Sequence, residues 1–380
     1  MTNPTDGGGR GPAIPLVDLV VQHRRVAAEV EAGLQRLFAT AAFVLGEDVV
    51  RFEQAFARYC GVAHCRGVAN GTDAIELALR GLGVGAGDEV IVPANTFVAT
   101  AEAVVRAGAT VVLVDCAPDH HLIDPVATAE SIGPRTKVLL PVHLYGDLAP
   151  MEAIAQLAEA HGLRVVEDAA QAQGASDGTG RRAGSFGAAA ATSFYPGKNL
   201  GAYGDGGAVM TPSAEVAERV GMLRNHGQAA TYDHVEIGWN SRLDSIQAVV
   251  LTAKLAHLDA WNDERRQAAA RYGELLGGLA DVELPTPSGP GSVWHLYVVQ
   301  VPDRDRLLAY LRGRGIGAAV HYPVPIHLMP AWAGLGWHRG DFPNAERRAG
   351  RILSLPLFPG ITPAQQERVV DELARGMASS

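Results

Sequence analysis

Glu89-Val-Ile-Val92, Thr110-Val-Val-Leu-Val114, Lys137-Val-Leu-Leu140 and Arg164-Val-Val166 are short aliphatic runs rich in β-branched residues, and the stretch holding them decides the fold. Between them lie Ala-rich segments of helical character, Phe97–Ala107 and Met151–His161. Short, nearly all-apolar strands that alternate with helices predict a parallel sheet covered on both faces. Such sheets bind ligands outside the C-terminal ends of their strands, so chemistry is sought there.

Upstream, Val49, Phe52, Phe56 and Tyr59 recur at helical spacing and stop at Gly61, and Thr72–Leu82 reads as a second helix. Downstream, Leu243–Leu276 has no proline and one glycine, Gly273, which predicts a long helix or a broken pair connecting two domains. Beyond the Pro/Gly/Ser stretch 285–292, Trp294–Val301, Arg304–Gly315 and Ala318–His321 give strand, helix and strand, a smaller α+β domain. The expected division is a disordered tail over 1–12, a large α/β domain over 13–242, and a connecting helix with a small C-terminal domain over 243–380.

Composition agrees. A chain of 380 residues, 47% of them apolar, is long enough for two domains and a sizeable core. A net charge of −9 argues against a general nucleic-acid binder, which needs clustered Lys and Arg. The three cysteines, Cys60, Cys65 and Cys116, offer no disulfide framework and point to a reducing compartment. The N-terminus has no signal-peptide core, and no apolar run approaches membrane-spanning length, so a soluble cytoplasmic protein is expected.

Three motifs fail on inspection. Gly174-Ala-Ser-Asp-Gly178 has the spacing of a nucleophile elbow, but Thr179-Gly-Arg-Arg182 does not open a helix after Ser176. Gly197-Lys198 resembles the end of a P-loop, yet Thr192 stands where Gly is required and Asn199 where a hydroxyl would meet magnesium. His120 and His121 are neighbours on an expected loop with no metal partner at usable spacing, and no metal is expected. His143, behind a buried strand, reads as a hydrogen-bonded core histidine.

Four segments carry chemistry. Ala69-Asn-Gly-Thr-Asp73 opens a helix, where amides, Gly71 and the Thr72 hydroxyl suit an anion; an ordinary Thr or Asp cap is the plainer reading. Glu167-Asp168 ends an apolar strand, where a carboxylate either caps the next helix or holds a protonated pyridine nitrogen. Lys198 lies in the Pro/Gly turn of Thr192-Ser-Phe-Tyr-Pro-Gly-Lys198-Asn, as a solvated cation or as a partner of Asp168 across one ring. Gly238-Trp-Asn240-Ser-Arg242 precedes the connector, with Arg242 available for an anion.

In this order the segments resemble the DegT/DnrJ/EryC1/StrS sugar aminotransferases, fold-type I pyridoxal-phosphate enzymes. The likeness is carried by ANGTDAIELAL, DEVIVPANTFVAT, LLPVHLYG, VVEDAAQAQGA, SFYPGKNLGAYGDGGAV, NSRLDSIQA and HYPVPIH, and it runs from about residue 15 to the C-terminus. It implies a mostly parallel sheet sandwiched by helices plus a small α+β domain. It also implies pyridoxal 5'-phosphate held as a Schiff base by Lys198, which then shuttles a proton. Asp168 would pair with the ring nitrogen, Gln171 touch the ring oxygen and Phe97 stack on the ring face. Gly71, Thr72 and Ser193 would hold the phosphate, joined by Asn240 of the neighbouring subunit in a homodimer with shared sites. Tyr195, Arg242, Tyr322 and His327 are candidates for contacting the donor carboxylate or the nucleotide sugar.

Some members of that family carry His in place of the Schiff-base Lys and deoxygenate C-3 of the sugar; Lys198 puts this chain on the transferase side. The implied reaction is ping-pong, from L-glutamate to a keto sugar. The run Thr231–Arg242 and the segment His321–Trp332 look most like the enzymes that aminate C-3 of dTDP-linked 6-deoxy sugars for antibiotic deoxysugars. A C-4 nucleotide-sugar or keto-cyclitol aminotransferase, a non-catalytic pyridoxal-phosphate sensor and a hydrolase using Ser176 are the alternatives.

Overall fold

The computed structural model describes residues 12–379. The expected tail over 1–12 lies outside the described residues except for Pro12. Seven strands form the main sheet: β1 (His64–Val68), β2 (Glu89–Pro93), β3 (Thr110–Val114), β4 (Thr136–Leu139), β5 (Arg164–Asp168), β6 (Ala189–Ser193) and β7 (Gly207–Thr211). Their order is β1-β7-β6-β5-β4-β2-β3. The five from β3 to β6 pair in parallel, as the alternation of short strands and helices predicts.

β7 runs antiparallel to both of its neighbours, β6 and β1. The connection from β6 to β7, residues 194–206, contains no helix, and a parallel return needs a crossover. That short connection is the turn carrying Lys198. Alternation along the strands shows why the sheet needs cover on both faces. The helices α1 (Leu19–Thr40) and α2 (Glu47–Cys60) come before the sheet. Val90 and Val92 of β2 enter the core under the helices α3 (Gly71–Gly81) and α4 (Val98–Arg106), with Ile75, Leu77, Leu79 and Val104. Ile91 between them packs on the opposite face, against Ile154 and Ala158 of the helix Met151–His161.

The connector is a broken pair, Ser245–Leu255 and Leu258–Leu276. The second of these helices packs with Arg304–Gly313 and Pro363–Ala378 on a two-stranded antiparallel sheet, Tyr297–Gln300 with Ile352–Leu355. Ala318–His321, read from sequence as the second strand here, makes only an isolated bridge from Ala319 to Ser354. Pro323, Pro325 and Pro330 follow at once and have no N–H to extend a ladder. The described chain enters here too: Ile14, expected in the large domain, bridges to Ile316 and is buried in the small domain's core. Cys60, Cys65 and Cys116 are buried free thiols. Among the described residues no helix is long and apolar enough to cross a membrane.

Candidate active site

β5 ends in two adjacent carboxylates, and the pleat sends them opposite ways. Glu167 turns into the protein, accepting N–H bonds from Gly184 (2.7 Å), Phe186 (2.7 Å) and Gly187 (2.8 Å). It also meets Nε2 of the fully buried His143 at 2.9 Å. Asp168 turns into a cavity of about 430 Å³ at the C-terminal ends of the parallel strands. Its Oδ2 accepts the Thr100 hydroxyl at 2.8 Å and its Oδ1 the Ala170 N–H at 3.1 Å. A buried carboxylate so held stays oriented while one side remains open to the cavity.

Lys198 enters the same cavity from the turn after β6, where its N–H closes on the Tyr195 carbonyl at 2.8 Å. Gly201 is required for that turn, because a Cβ there would stand 2.2 Å from the Pro196 carbonyl oxygen. Burial pushes the Lys198 ammonium down to about 8, while Asp168 opposes the shift. Among the described residues its Nζ makes no hydrogen bond.

The third wall is the start of α3. Asn70, not Thr72 or Asp73, is the cap: its Oδ1 accepts the Asp73 N–H at 2.8 Å. The first-turn amides of Gly71 and Thr72 and the Thr72 hydroxyl remain at the cavity wall beside Ser193. A Cβ on Gly71 would stand 2.6 Å from the Ser193 Cβ, so only glycine lets the two segments close into one cradle. Gly71→Ala is expected to lower cofactor retention about tenfold or more, measured as the bound fraction after dialysis against phosphate, and to lower the unfolding temperature as the clash pushes the helix from Ser193.

Phe97 caps α4 with its ring 49% exposed, so it is not a core residue. The ring stands 5.1 Å from that of Tyr322 at the cavity wall. Gln171 also lines the cavity, held between the Tyr145 N–H (2.7 Å) and the Tyr322 hydroxyl (3.0 Å). Tyr195, 59% exposed, completes this group.

Three expected residues lie elsewhere. Asn240 is exposed and bridged to Asn225, and Arg242 donates to Asn225 Oδ1 at 2.9 Å; neither lines the cavity. His327, expected as a substrate contact, is instead buried: 2% exposed, it places Nε2 2.9 Å from Glu346 Oε1 and its ring edge against Phe342, and it does not line the cavity.

Residues that sequence reasoning passed over join the site: Leu16, Val17, Thr100, His295 and His321. His295 carried a signal, a histidine near the start of the mostly apolar run Trp294–Val301. Leu16 and Val17 carried none, since only the docking of the chain start on the small domain brings them there. Asp147, from another loop, supplies His120 and His121 with the third neighbour that their spacing lacked; metal-competent atoms of all three lie within 4.8 Å. Ser288 donates to both Asp147 oxygens, and His120 Nε2 lies 3.3 Å from Asp147 Oδ2 without a hydrogen bond among the described residues.

With this geometry in place, comparison with known proteins is informative. The family model described as the DegT/DnrJ/EryC1/StrS aminotransferase family matches residues 25–374. The chain is 49% identical over 361 residues, 95% of each chain, to the dTDP-3-amino-3,4,6-trideoxy-alpha-D-glucose transaminase of Streptomyces venezuelae. It is 44% identical over 364 residues to a pleiotropic regulatory protein of Geobacillus stearothermophilus, covering 95% of this chain and 98% of that one. The crystal structure of S. venezuelae DesV in complex with a ketimine intermediate superposes with a TM-score of 0.93 at 48% identity, covering 96% of this chain and 98% of that one. Matched along nearly its whole length in sequence and in fold, this chain belongs to the DegT/DnrJ/EryC1/StrS aminotransferase family.

Proposed function

We propose that this enzyme transfers the amino group of L-glutamate to the C-3 keto group of a dTDP-linked 6-deoxy sugar, a step in making deoxyaminosugars. The observation that carries the reading is the convergence of Lys198, Asp168 and the α3 amides on one cavity. The family's cofactor, pyridoxal 5'-phosphate, supplies an electron sink for a substrate carbanion when bound. The residues present fit it: a glycine cradle that a Cβ would fill, an oriented carboxylate, an exposed aromatic ring and an amine without a partner.

In this reading Gly71, Thr72 and Ser193 hold the phosphate, Asp168 faces the ring nitrogen, Phe97 covers the ring and Gln171 reaches its oxygen. Lys198 binds the cofactor covalently and moves the proton at the reacting carbon. Tyr195 and Tyr322 face the sugar. Asn240 serves the cavity of a neighbouring subunit. The surface supports a homodimer: Phe38, Phe43, Val44 and Val50 are exposed near the ends of the first two helices, and Tyr232 and Ile237, near Asn240, are each 90% exposed.

The test has two stages. Cofactor-loaded protein is mixed with L-glutamate, and the visible band is expected to convert to the amine form of the cofactor. Borohydride reduction of a parallel sample should place the label on Lys198. The 3-keto and 4-keto dTDP sugars are then offered separately, and amination of the 3-keto sugar alone is expected. Amination of only the 4-keto sugar or a keto-cyclitol would overturn the substrate assignment, and a band indifferent to every amino donor would favour a sensor.

A further inference from the structure

Asp168 shares its cavity with Lys198, whose positive charge attracts the carboxylate. The backbone of Asp168 is fixed, its N–H donating to the Pro141 carbonyl (2.9 Å) and its carbonyl accepting the His143 N–H (3.0 Å), but neither bond holds the side chain. The hold comes from the start of α4. Thr100, in the first turn, donates its hydroxyl to Asp168 Oδ2 at 2.8 Å. A threonine inside a helix often turns that hydroxyl back to the carbonyl four residues earlier, and here it reaches across to the sheet instead. Thr96 Oγ1 lies 3.0 Å from Thr100 Oγ1, and both threonines are buried. A hydroxyl has one proton to give. Thr100 gives its own to Asp168, so the proton between the two threonines belongs to Thr96. The result is a one-way chain, from Thr96 to Thr100 to the carboxylate, in which each donor polarises the next. With the Ala170 N–H on Oδ1, each carboxylate oxygen has one donor and keeps a second lone pair.

We propose that Thr100 is a positioning residue for Asp168 and that Thr96 sets the direction of its proton, the pair keeping the carboxylate charged and aimed at the ring nitrogen of the cofactor, an inference that rests on the assignment of Asp168 to that nitrogen. A buried carboxylate stays charged only while donors replace the water it has lost, and Thr100 is such a donor. A carboxylate held from behind is also not drawn off to the Lys198 amine, the opposite charge in the same cavity. Phe97, proposed to cover the ring, stands between the two threonines in sequence and caps the same helix. One stretch of chain, Thr96–Thr100, thereby sets both what lies on the face of the ring and what meets its edge.

The probe is pyridoxine 5'-phosphate labelled with nitrogen-15 in the ring, which has no aldehyde and so binds without reacting with Lys198. Offered to the cofactor-free full chain, it is read by titration calorimetry for affinity and by its nitrogen resonance for the proton on the ring. Thr100→Val keeps the shape and removes the hydroxyl, so it should weaken binding about tenfold and lower the protonated fraction of the ring nitrogen. Thr100→Ala reads the same loss if the valine crowds the helix start. Thr100→Ser restores the donor without the methyl group and should recover most of both. Thr96→Val leaves Thr100 able to donate and should weaken binding only about twofold. In an Asp168→Asn background no charge remains to orient, and Thr100→Val should cost much less there than in wild type. Wild-type affinity and ring protonation in Thr100→Val would overturn the proposal. An equal loss with and without the Asp168 charge would do so too, as would a Thr100→Ser protein as weak as Thr100→Val. Wild-type protein that protonates the ring but transaminates no keto sugar would instead refute the proposed function, and the Thr100 comparison would still judge the relay.

Discussion

Lys198→Ala is expected to lower the rate of the glutamate half-reaction by about 10³–10⁴-fold and to leave no residue to label with borohydride. The amine stands in a cavity wall, without a hydrogen-bond partner among the described residues and with its ammonium form already disfavoured by burial. No described lysine shares that cavity, so none substitutes for it. Lys198→Arg should lose as much, because a guanidinium stays protonated and cannot act as the nucleophile. Stopped-flow spectra with saturating L-glutamate measure the loss, and circular dichroism with the unfolding temperature separates it from misfolding. Removing a desolvated ammonium should not destabilise the fold, so an unfolded Lys198→Ala protein would contradict the geometry described above.

Asp168→Asn is expected to cost about 10²–10³-fold in kcat while the protein still binds cofactor. Asparagine has the same shape and keeps one oxygen to accept from Thr100, but it brings no negative charge to the ring nitrogen. The cradle of α3 and Ser193 proposed for the phosphate is untouched, so retention on dialysis should fall much less than kcat. The two measurements together distinguish an electrostatic role from a merely structural one. Equal losses in both would mean that the carboxylate holds the site together and does not tune it.

The fold was legible where burial is local and periodic. Aliphatic strands with Ala-rich helices between them predict β2 to β5 to within two residues at each end, because both faces of those strands are covered. The direction of β7 was not legible, since it follows from what lies between two strands and not from either strand's own residues. At the site, Asp168 and Lys198 could be placed from their positions after strands. Whether Glu167 or Asp168 faces the cavity is set by the pleat, and whether Phe97 is core or wall by its place at a helix cap. The burial of His327 was not legible either, because Glu346 and Phe342, which enclose it, lie 19 and 15 residues further along the chain. His295 and the chain start depend on contacts between domains, which no local pattern encodes.

The place of β1 at the rim of the main sheet bears on the order of events during synthesis. Its one partner is β7, and residues 69–206 intervene between them. Every other strand of the sheet emerges before β7, so the rim that holds Asn70 and Gly71 cannot be sealed until that last strand has been made. Closing so long a span is slow compared with forming the neighbouring βα units. The cradle that we assign to the phosphate is thus among the last parts of the main sheet to mature, and a ribosome-bound chain ending short of Gly207 has most of its sheet but not this cradle.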